Sequence, residues 1–194
     1  MRRFITGRTA ALACAALMAT AGSWASMFEP VTDQQLVCES VDVVRATVVE
    51  VQSSWEGNPE AIWTHALLRV DQSVRGNRFP GDYVDVKEIG GTVGEYTIVA
   101  HQFPTFHAGD KVVVMLAPWD DGSGIQRVWG YGRGMFVVAQ GNGREQAQAR
   151  RHDLVESGER TMHEDRLKAN MGVDDLVREL HLLSANCRPG GGGR

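Results

Sequence analysis

The sequence predicts an all-β domain with a short helix before its strands and an amphipathic helix after them. Runs of β-branched residues alternate with Gly, Pro and Asn turns from Val41 to about Arg151. Apolar residues then recur at helical spacing between Val173 and Leu183. The chain has 194 residues, which is enough for one well-cored domain behind an export signal.

The first 25 residues are expected to be that signal and are set apart from the fold. Their start carries three arginines, and residues 9–18 are apolar and uncharged. This apolar segment is too short to span a bilayer. Cleavage is expected after Ala25, with Ala21 as an alternative site. The pair Arg2-Arg3 leaves both the general and the twin-arginine export routes open.

The charge of the chain argues against a nucleic-acid partner. Cleavage removes three arginines and no acidic residue, which takes the formal charge from −4 to −7. A nucleic-acid-binding domain would instead present a basic face. No later segment approaches the length of an apolar membrane span, so no stable membrane insertion is expected after cleavage.

Two cysteines remain after cleavage, Cys38 and Cys187. In an oxidising compartment an even pair predicts a disulfide. The bond would close a loop of about 150 residues, which the chain-entropy treatment associates with roughly 5 kcal/mol of stabilisation at most.

The helix before the strands is signalled by a capping box. Thr32-Asp33-Gln34-Gln35 places a threonine cap three residues before a glutamine, and this predicts a helix from about Asp33 to Ser40. Val41 to Gln52 has β-branched residues on both faces, which is typical of a long, bent strand. Gly57-Asn58-Pro59 ends that run.

Later strands are expected between turn residues, with clear period-two alternation in Ile62–Val74 and a strongly apolar run in Lys111–Leu116. They are expected over Ile62–Val74, Tyr83–Ile89, Tyr96–His101, Lys111–Leu116, Ile125–Trp129, Met135–Gln140 and Glu145–Arg151. The inward side chains of the strands are predicted to form the core. They are Val43, Val49, Leu68, Val86, Ile98, Val112, Val114 and Leu116.

The C-terminal third has a polar stretch and then a helix. Arg144 to Asn170 is charged and poor in large apolar residues, which indicates a surface excursion of a single domain over residues 26–187. Val173 to Leu183 forms the amphipathic helix. Residues 188–194 are expected to be a flexible, Gly-rich tail. The whole order fits a five-stranded Greek-key barrel of the oligonucleotide/oligosaccharide-binding (OB) type.

The stretch from Gln34 to Val49 resembles the netrin-like domain of tissue inhibitors of metalloproteinases. There a cysteine-bearing turn precedes a strand with the sequence Ala-Asp-Val-Val-Ile-Arg-Ala. The resemblance implies an OB-like barrel and a bond from Cys38 to a cysteine at the far end, here Cys187. Those inhibitors chelate the protease zinc with an N-terminal cysteine. No cysteine lies between Ser26 and Cys38, so the resemblance does not extend to that mode of inhibition.

The middle of the chain is similar to small exported bacterial proteins of uncharacterised function. The matching residues are Trp55, Arg75-Gly76, Gly90-Gly91 and the run from Phe106 to Asp110. This resemblance implies export and a similar strand order, and it brings no activity with it.

The sequence predicts neither a catalytic nor a metal site, and no cofactor. The histidines lack metal-ligand spacing, and no nucleophile motif is present. Aromatic residues are the remaining candidates for a sugar- or peptide-binding face, with core or rim packing as the alternative. They are Trp55, Trp63, Trp119, Trp129 and Tyr131.

The sequence therefore predicts an exported, non-enzymatic binding domain with a protein or glycan partner in the bacterial cell envelope. A protease inhibitor that acts through a loop or an edge strand is the alternative, and a hydrolase with an unrecognised site comes last.

Overall fold

The computed structural model describes residues 31–141, 143–149, 166–168 and 170–187. The predicted signal, the predicted tail and residues 150–165 of the expected excursion lie outside the described residues. Half of the described residues are in strands and 17% are helical. They form a large mixed sheet and two helices.

Ten strands and two α-helices follow one another along the described chain. They are α1 (Asp33–Glu39), β1 (Asp42–Glu56), β2 (Ala61–Arg75), β3 (Tyr83–Ile89), β4 (Gly91–Val93), β5 (Tyr96–Ile98), β6 (Lys111–Pro118), β7 (Gln126–Val128), β8 (Met135–Gly141), β9 (Arg144–Ala149), β10 (Asn170–Gly172) and α2 (Val173–Ala185). A 3-10 turn over Tyr131–Gly134 precedes β8.

The predicted capping box starts α1. The Thr32 hydroxyl accepts the Gln35 backbone N–H at 3.2 Å, and the Gln35 side chain accepts the Thr32 N–H at 2.8 Å. Two otherwise unsatisfied donors of the first turn are thereby paired. The helix buries Leu36 and Val37 and ends before Ser40, so the prediction for this helix is confirmed.

The large sheet has the strand order β1-β2-β3-β7-β6-β8-β9-β10, and β1 also pairs with β6. The β1–β6 pairing joins Asp42–Thr47 to Lys111–Leu116. The pair β3 and β7 is parallel, through Val86 and Gln126, while the other neighbours are antiparallel. Strands β4 and β5 form a separate hairpin. The first half of β1 is therefore hydrogen bonded on both edges.

Two clusters of buried side chains make up the core. One lies between the helices and the sheet and contains Val43, Met115 and Leu180. The other contains Val44, Leu68 and the remaining inward residues of β1–β3 and β6. Strand β6 contributes to both, because successive side chains of a strand point to opposite faces. Most of the predicted core is fully buried, namely Val43, Leu68, Val86, Val112, Val114 and Leu116.

Val49 is an error in the core prediction, since 46% of its surface is exposed. In the β1–β2 register Val48 opposes Leu68 and Glu50 opposes Leu67, so Val49 has no cross-strand partner. This β-bulge shifts the in–out alternation of β1 side chains by one residue. After Val48, the next inward side chain is therefore that of Val51.

Ile98 is the second error, because it is only half-buried. The predicted strand from Tyr96 to His101 is reduced to β5, which pairs with β4 outside the large sheet. Gly90 and Gly91 have φ of +105° and +127°, a region that residues with side chains rarely adopt. The chain turns away from β3 at these glycines, so Ile98 does not enter the core.

The C-terminal helix and the disulfide agree with the sequence prediction. The five apolar residues at helical spacing in α2 are all buried. Cys38 in α1 and Cys187 after α2 form a disulfide with a Cα–Cα distance of 5.3 Å. Gln34 Nε2 donates to Cys38 Sγ at 2.8 Å and to the Leu183 carbonyl at 2.9 Å. The two helices are therefore joined covalently and by hydrogen bonds.

The expected surface excursion is only partly described, and its ends belong to the sheet. Strand β9 pairs with β8, and β10 pairs with β9. Leu167 is buried, and its N–H donates to Asp33 at 2.9 Å. The sequence predicted the first of these strands, over Glu145–Arg151, but not β10 or the burial of Leu167.

Candidate functional site

A cavity of about 320 Å³ is lined by residues of β1, β2, β3, the β4–β5 hairpin and the segment 99–107. Apolar and polar side chains share the lining. The larger apolar ones are Val51, Ile89, Ile98, Val99, Phe103 and Phe106. This size and mixed chemistry are typical of small-molecule sites.

Glu88 is the buried acid of this cavity. It follows Val84 and Val86 on the inward face of β3, and only 2% of its surface is exposed. Its carboxylate accepts the Val128 N–H from β7 at 2.6 Å. A carboxylate has about four lone-pair positions, so this bond leaves acceptor capacity for a further partner.

Burial raises the pKa of Glu88 from 4.5 to about 7. The hydrogen bond from Val128 and the positive charge of Arg127 act in the opposite direction but do not offset the loss of hydration. At neutral pH the carboxyl group is therefore close to half protonated. It can ionise when a cation binds beside it, or keep its proton and donate it in a hydrogen bond to an acceptor.

Two hydroxyls beside Glu88 form a directed hydrogen-bond chain. Thr64 Oγ1 donates to the Gly90 carbonyl at 2.6 Å, and Ser53 Oγ lies 2.8 Å from Thr64 Oγ1. Since a threonine hydroxyl has one proton, Ser53 is the donor in the second bond. The Ser53 oxygen keeps its lone pairs.

Gly91 is required where the β4–β5 hairpin lines the cavity. A Cβ placed on it would lie 2.3 Å from Thr64 Oγ1 and 2.4 Å from Ser53 Oγ. Its φ of +127° also disfavours any side chain. The glycine therefore lets the hairpin backbone approach the two hydroxyls.

Exposed residues of the segment 99–107 lie around the cavity. Val99 is 67% exposed, and His101 and His107 are exposed as well. His107 Nδ1 lies 3.3 Å from an Asp110 carboxylate oxygen. Phe103 packs edge-on against Tyr131 with centroids 5.1 Å apart.

The predicted aromatic face is divided into three groups by its ring contacts. Trp55 contacts Tyr96 edge-on at 5.8 Å, and Tyr131 contacts Phe103. Trp63 and Trp129 belong to a third group, together with Trp119.

Cations and indole rings alternate in this third group. Trp63 packs edge-on against Trp119 at 5.6 Å, and Lys87 Nζ lies 4.8 Å from the Trp63 centroid. Arg127 lies 5.0 Å from the Trp119 ring and 5.4 Å from the Trp129 ring. The cations thus cover faces of rings that the sequence predicted to be available for stacking.

A row of charged side chains crosses β1, β2 and β3 on the outward face of the sheet, opposite the face that carries Glu88. Lys87 Nζ is 2.7 Å from Glu56, and His65 lies 3.2 Å from Glu56 and 3.1 Å from Asp85. Hydrogen bonds from Lys87 and Ser54 lower the pKa of Glu56. Glu56 on β1 and Glu88 on β3 therefore have carboxyl pKa values shifted in opposite directions, and β2 lies between these two strands.

Within the described ranges, no group of three or more His, Cys, Asp and Glu side chains is placed to hold a metal ion. None of the helices described here is long and apolar enough to cross a bilayer. Comparisons of the chain with models of known families, with curated proteins and with solved structures gave no match.

Sequence reasoning did not identify Glu88, although a signal was present. An acidic residue follows Val84 and Val86 in the inward register of β3, where an apolar residue is the rule. A charged residue at such a position indicates either a buried ion pair or a site.

Proposed function

We propose that this protein is an exported, non-enzymatic binding domain that holds a small ligand in the cavity beside Glu88. The observation that carries this proposal is a buried carboxyl group with a single backbone N–H partner at an open cavity. A carboxyl group without a full set of partners is costly to bury, and a bound ligand would offset that cost.

The hydroxyls of the cavity favour binding over nucleophilic catalysis. Ser53 and Thr64 are hydrogen bonded to one another and to the Gly90 carbonyl. An activated nucleophile would need a general base at its proton instead. Both oxygens are held in place and suit ligand positioning.

We further propose a closed five-stranded barrel of the OB type with a netrin-like origin. In its support, hydrogen-bonded neighbours run β1-β2-β3-β7-β6, and β6 pairs again with β1. The parallel pairing of β3 with β7 and the long curved β1 are compatible with such a barrel. The Cys38–Cys187 bond matches the one that the netrin-like resemblance implies.

Export to the bacterial cell envelope is part of the same proposal. The predicted N-terminal signal supports it, and so does the disulfide, because such bonds persist in oxidising compartments. The partner predicted from the sequence, a protein or a glycan, would be a further component of that environment.

A fragment screen by ¹H–¹⁵N NMR tests the proposal. Fragments should shift the amide signals of Gly90, Gly91 and Thr97, which line the cavity. Ile98→Trp should abolish these shifts by filling the space, whereas Val93→Trp, on the same hairpin but outside the lining, should not. A screen in which no fragment shifts these signals, or in which Ile98→Trp changes nothing, contradicts a binding cavity.

Protease inhibition through a loop or an edge strand remains the alternative function. A panel of peptidases assayed with the purified protein separates the two. Inhibition that survives Ile98→Trp would favour the alternative, because it would not depend on the cavity.

A further inference from the structure

The polar groups around Glu88 offer lone pairs to a ligand. The Ser53 proton is given to Thr64 and the Thr64 proton to the Gly90 carbonyl, which leaves the Ser53 oxygen as an acceptor. The Glu88 carboxylate accepts one N–H, from Val128, and has capacity for more. A ligand that satisfies both groups must bring N–H or O–H donors.

The charges near the cavity favour a positive ligand. Among the described residues that line it, none is lysine or arginine, and the titratable ones are Glu88, His101 and His107. Arg127 on β7 is the cation that acts on Glu88. Its guanidinium group lies over Trp119 and Trp129, so it does not neutralise the carboxylate by direct contact.

We propose that this cavity binds a small organic cation, with an ammonium or guanidinium group that donates to Glu88 and Ser53. Its apolar body lies against the aliphatic and phenyl side chains of the lining, such as Val51 and Phe106. This inference rests on the proposed function and names the ligand class for the same cavity.

A proton and the cation compete for the same carboxylate. Because burial raises the pKa of Glu88 to about 7, the acid is protonated in mildly acidic solution and ionised above neutrality. The affinity for a cation should therefore rise about tenfold per pH unit below pH 7 and level off above it.

The test is an NMR titration of the purified protein with probes that differ in charge. The cations are benzylammonium, n-butylammonium and methylguanidinium, and benzyl alcohol and benzoate are the neutral and anionic counterparts. At pH 8 the tightest cation should bind at least about tenfold more tightly than benzyl alcohol or benzoate. The same titration at pH 5.5 should show the loss of affinity.

Two matched variants assign the effect to one carboxylate. Glu88→Gln should weaken cation binding by at least about tenfold and remove its pH dependence, because the charge is gone. Glu60→Gln, in the exposed turn between β1 and β2, should leave both unchanged. Ser53→Ala should weaken the cation severalfold and serves as the second variant if Glu88→Gln does not fold.

The outcomes separate this inference from the proposed function. No shift with any cation overturns it, as does equal or tighter binding of benzyl alcohol or benzoate. Cation binding that is unchanged in both Glu88→Gln and Ser53→Ala also overturns it. If any of these results is obtained but fragments still bind at the cavity, the proposed binding function stands and only the cationic ligand class is wrong. If no fragment shifts the cavity signals, both the binding function and the ligand class are contradicted.

Discussion

The Glu88 carboxylate on β3 accepts the Val128 N–H on β7 at 2.6 Å. The two strands are paired in parallel at Val86 and Gln126, two residues before this bond on each strand. The Glu88 side chain therefore continues the contact between β3 and β7 beyond their backbone pairing. One carboxyl group thus joins two strands, and the same residue lines the cavity.

Glu88→Gln should stabilise the protein at high pH. Below pH 4.5 the parent carboxyl is protonated in both the folded and the unfolded state. Between pH 4.5 and about 7 only the unfolded state ionises, so the free energy of unfolding of the parent falls as pH rises. The variant should exceed the parent by up to about 3 kcal/mol at pH 8 and match it at pH 4, as measured by urea unfolding.

Glu56→Gln is the control, because its effect on the free energy of unfolding should change with pH in the opposite direction to that of Glu88→Gln. The Lys87 hydrogen bond lowers the pKa of Glu56, so its ionised form stabilises the folded state above the ordinary value of 4.5. This variant should be less stable than the parent at neutral pH, and the difference should shrink as pH falls through the lowered pKa. The same trend with pH in both variants would contradict the opposite pKa shifts.

Val114→Asp should destabilise the domain by several kcal/mol. Val114 is completely buried in β6, and its replacement would place an unpaired charge in the core. Val49→Asp at the exposed bulge should cost less than about 1 kcal/mol. Thermal unfolding of the two variants checks both values, and similar losses would show that the register of β1 is misassigned.

Reduction of Cys38–Cys187 should lower the melting temperature by about 10–20 °C. The bond links residues 149 positions apart and removes a large part of the conformational freedom of the unfolded chain. Intact-mass analysis after alkylation, with and without reductant, shows whether the bond is present. Two freely alkylated thiols in the unreduced protein would rule it out.

Gly91→Ala should destabilise the protein more than Gly94→Ala does. Both glycines have positive φ, at +127° and +60°. Only at Gly91 would a Cβ meet other atoms, namely the Ser53 and Thr64 hydroxyls. The extra crowding should cost at least about 1 kcal/mol in urea unfolding and move the Thr64 amide signal. Equal effects would mean that the two hydroxyls are not held against the hairpin.

Much of this fold follows from local sequence patterns. The capping box of α1 and the apolar face of α2 depend on residues three or four positions apart, and both agree with the structure. The disulfide followed from the two cysteines that lie after the predicted signal, and their pairing agrees with the structure. Alternation located β3, because a strand with one inward face repeats every second residue. The unbroken apolar run located β6, which is buried on both faces.

The tertiary structure alone decided which residues depart from these patterns and where the site lies. The exposure of Val49 results from its register against β2, and the position of Ile98 results from the turn at Gly90 and Gly91. The cavity brings Ser53, from β1, to Glu88, from β3, and no local pattern joins them. The sequence by itself determined both helices, most of the strands and most of their inward faces, because these depend on neighbours along the chain. The bulge, the separate hairpin and the acid at the cavity depend on contacts between distant strands.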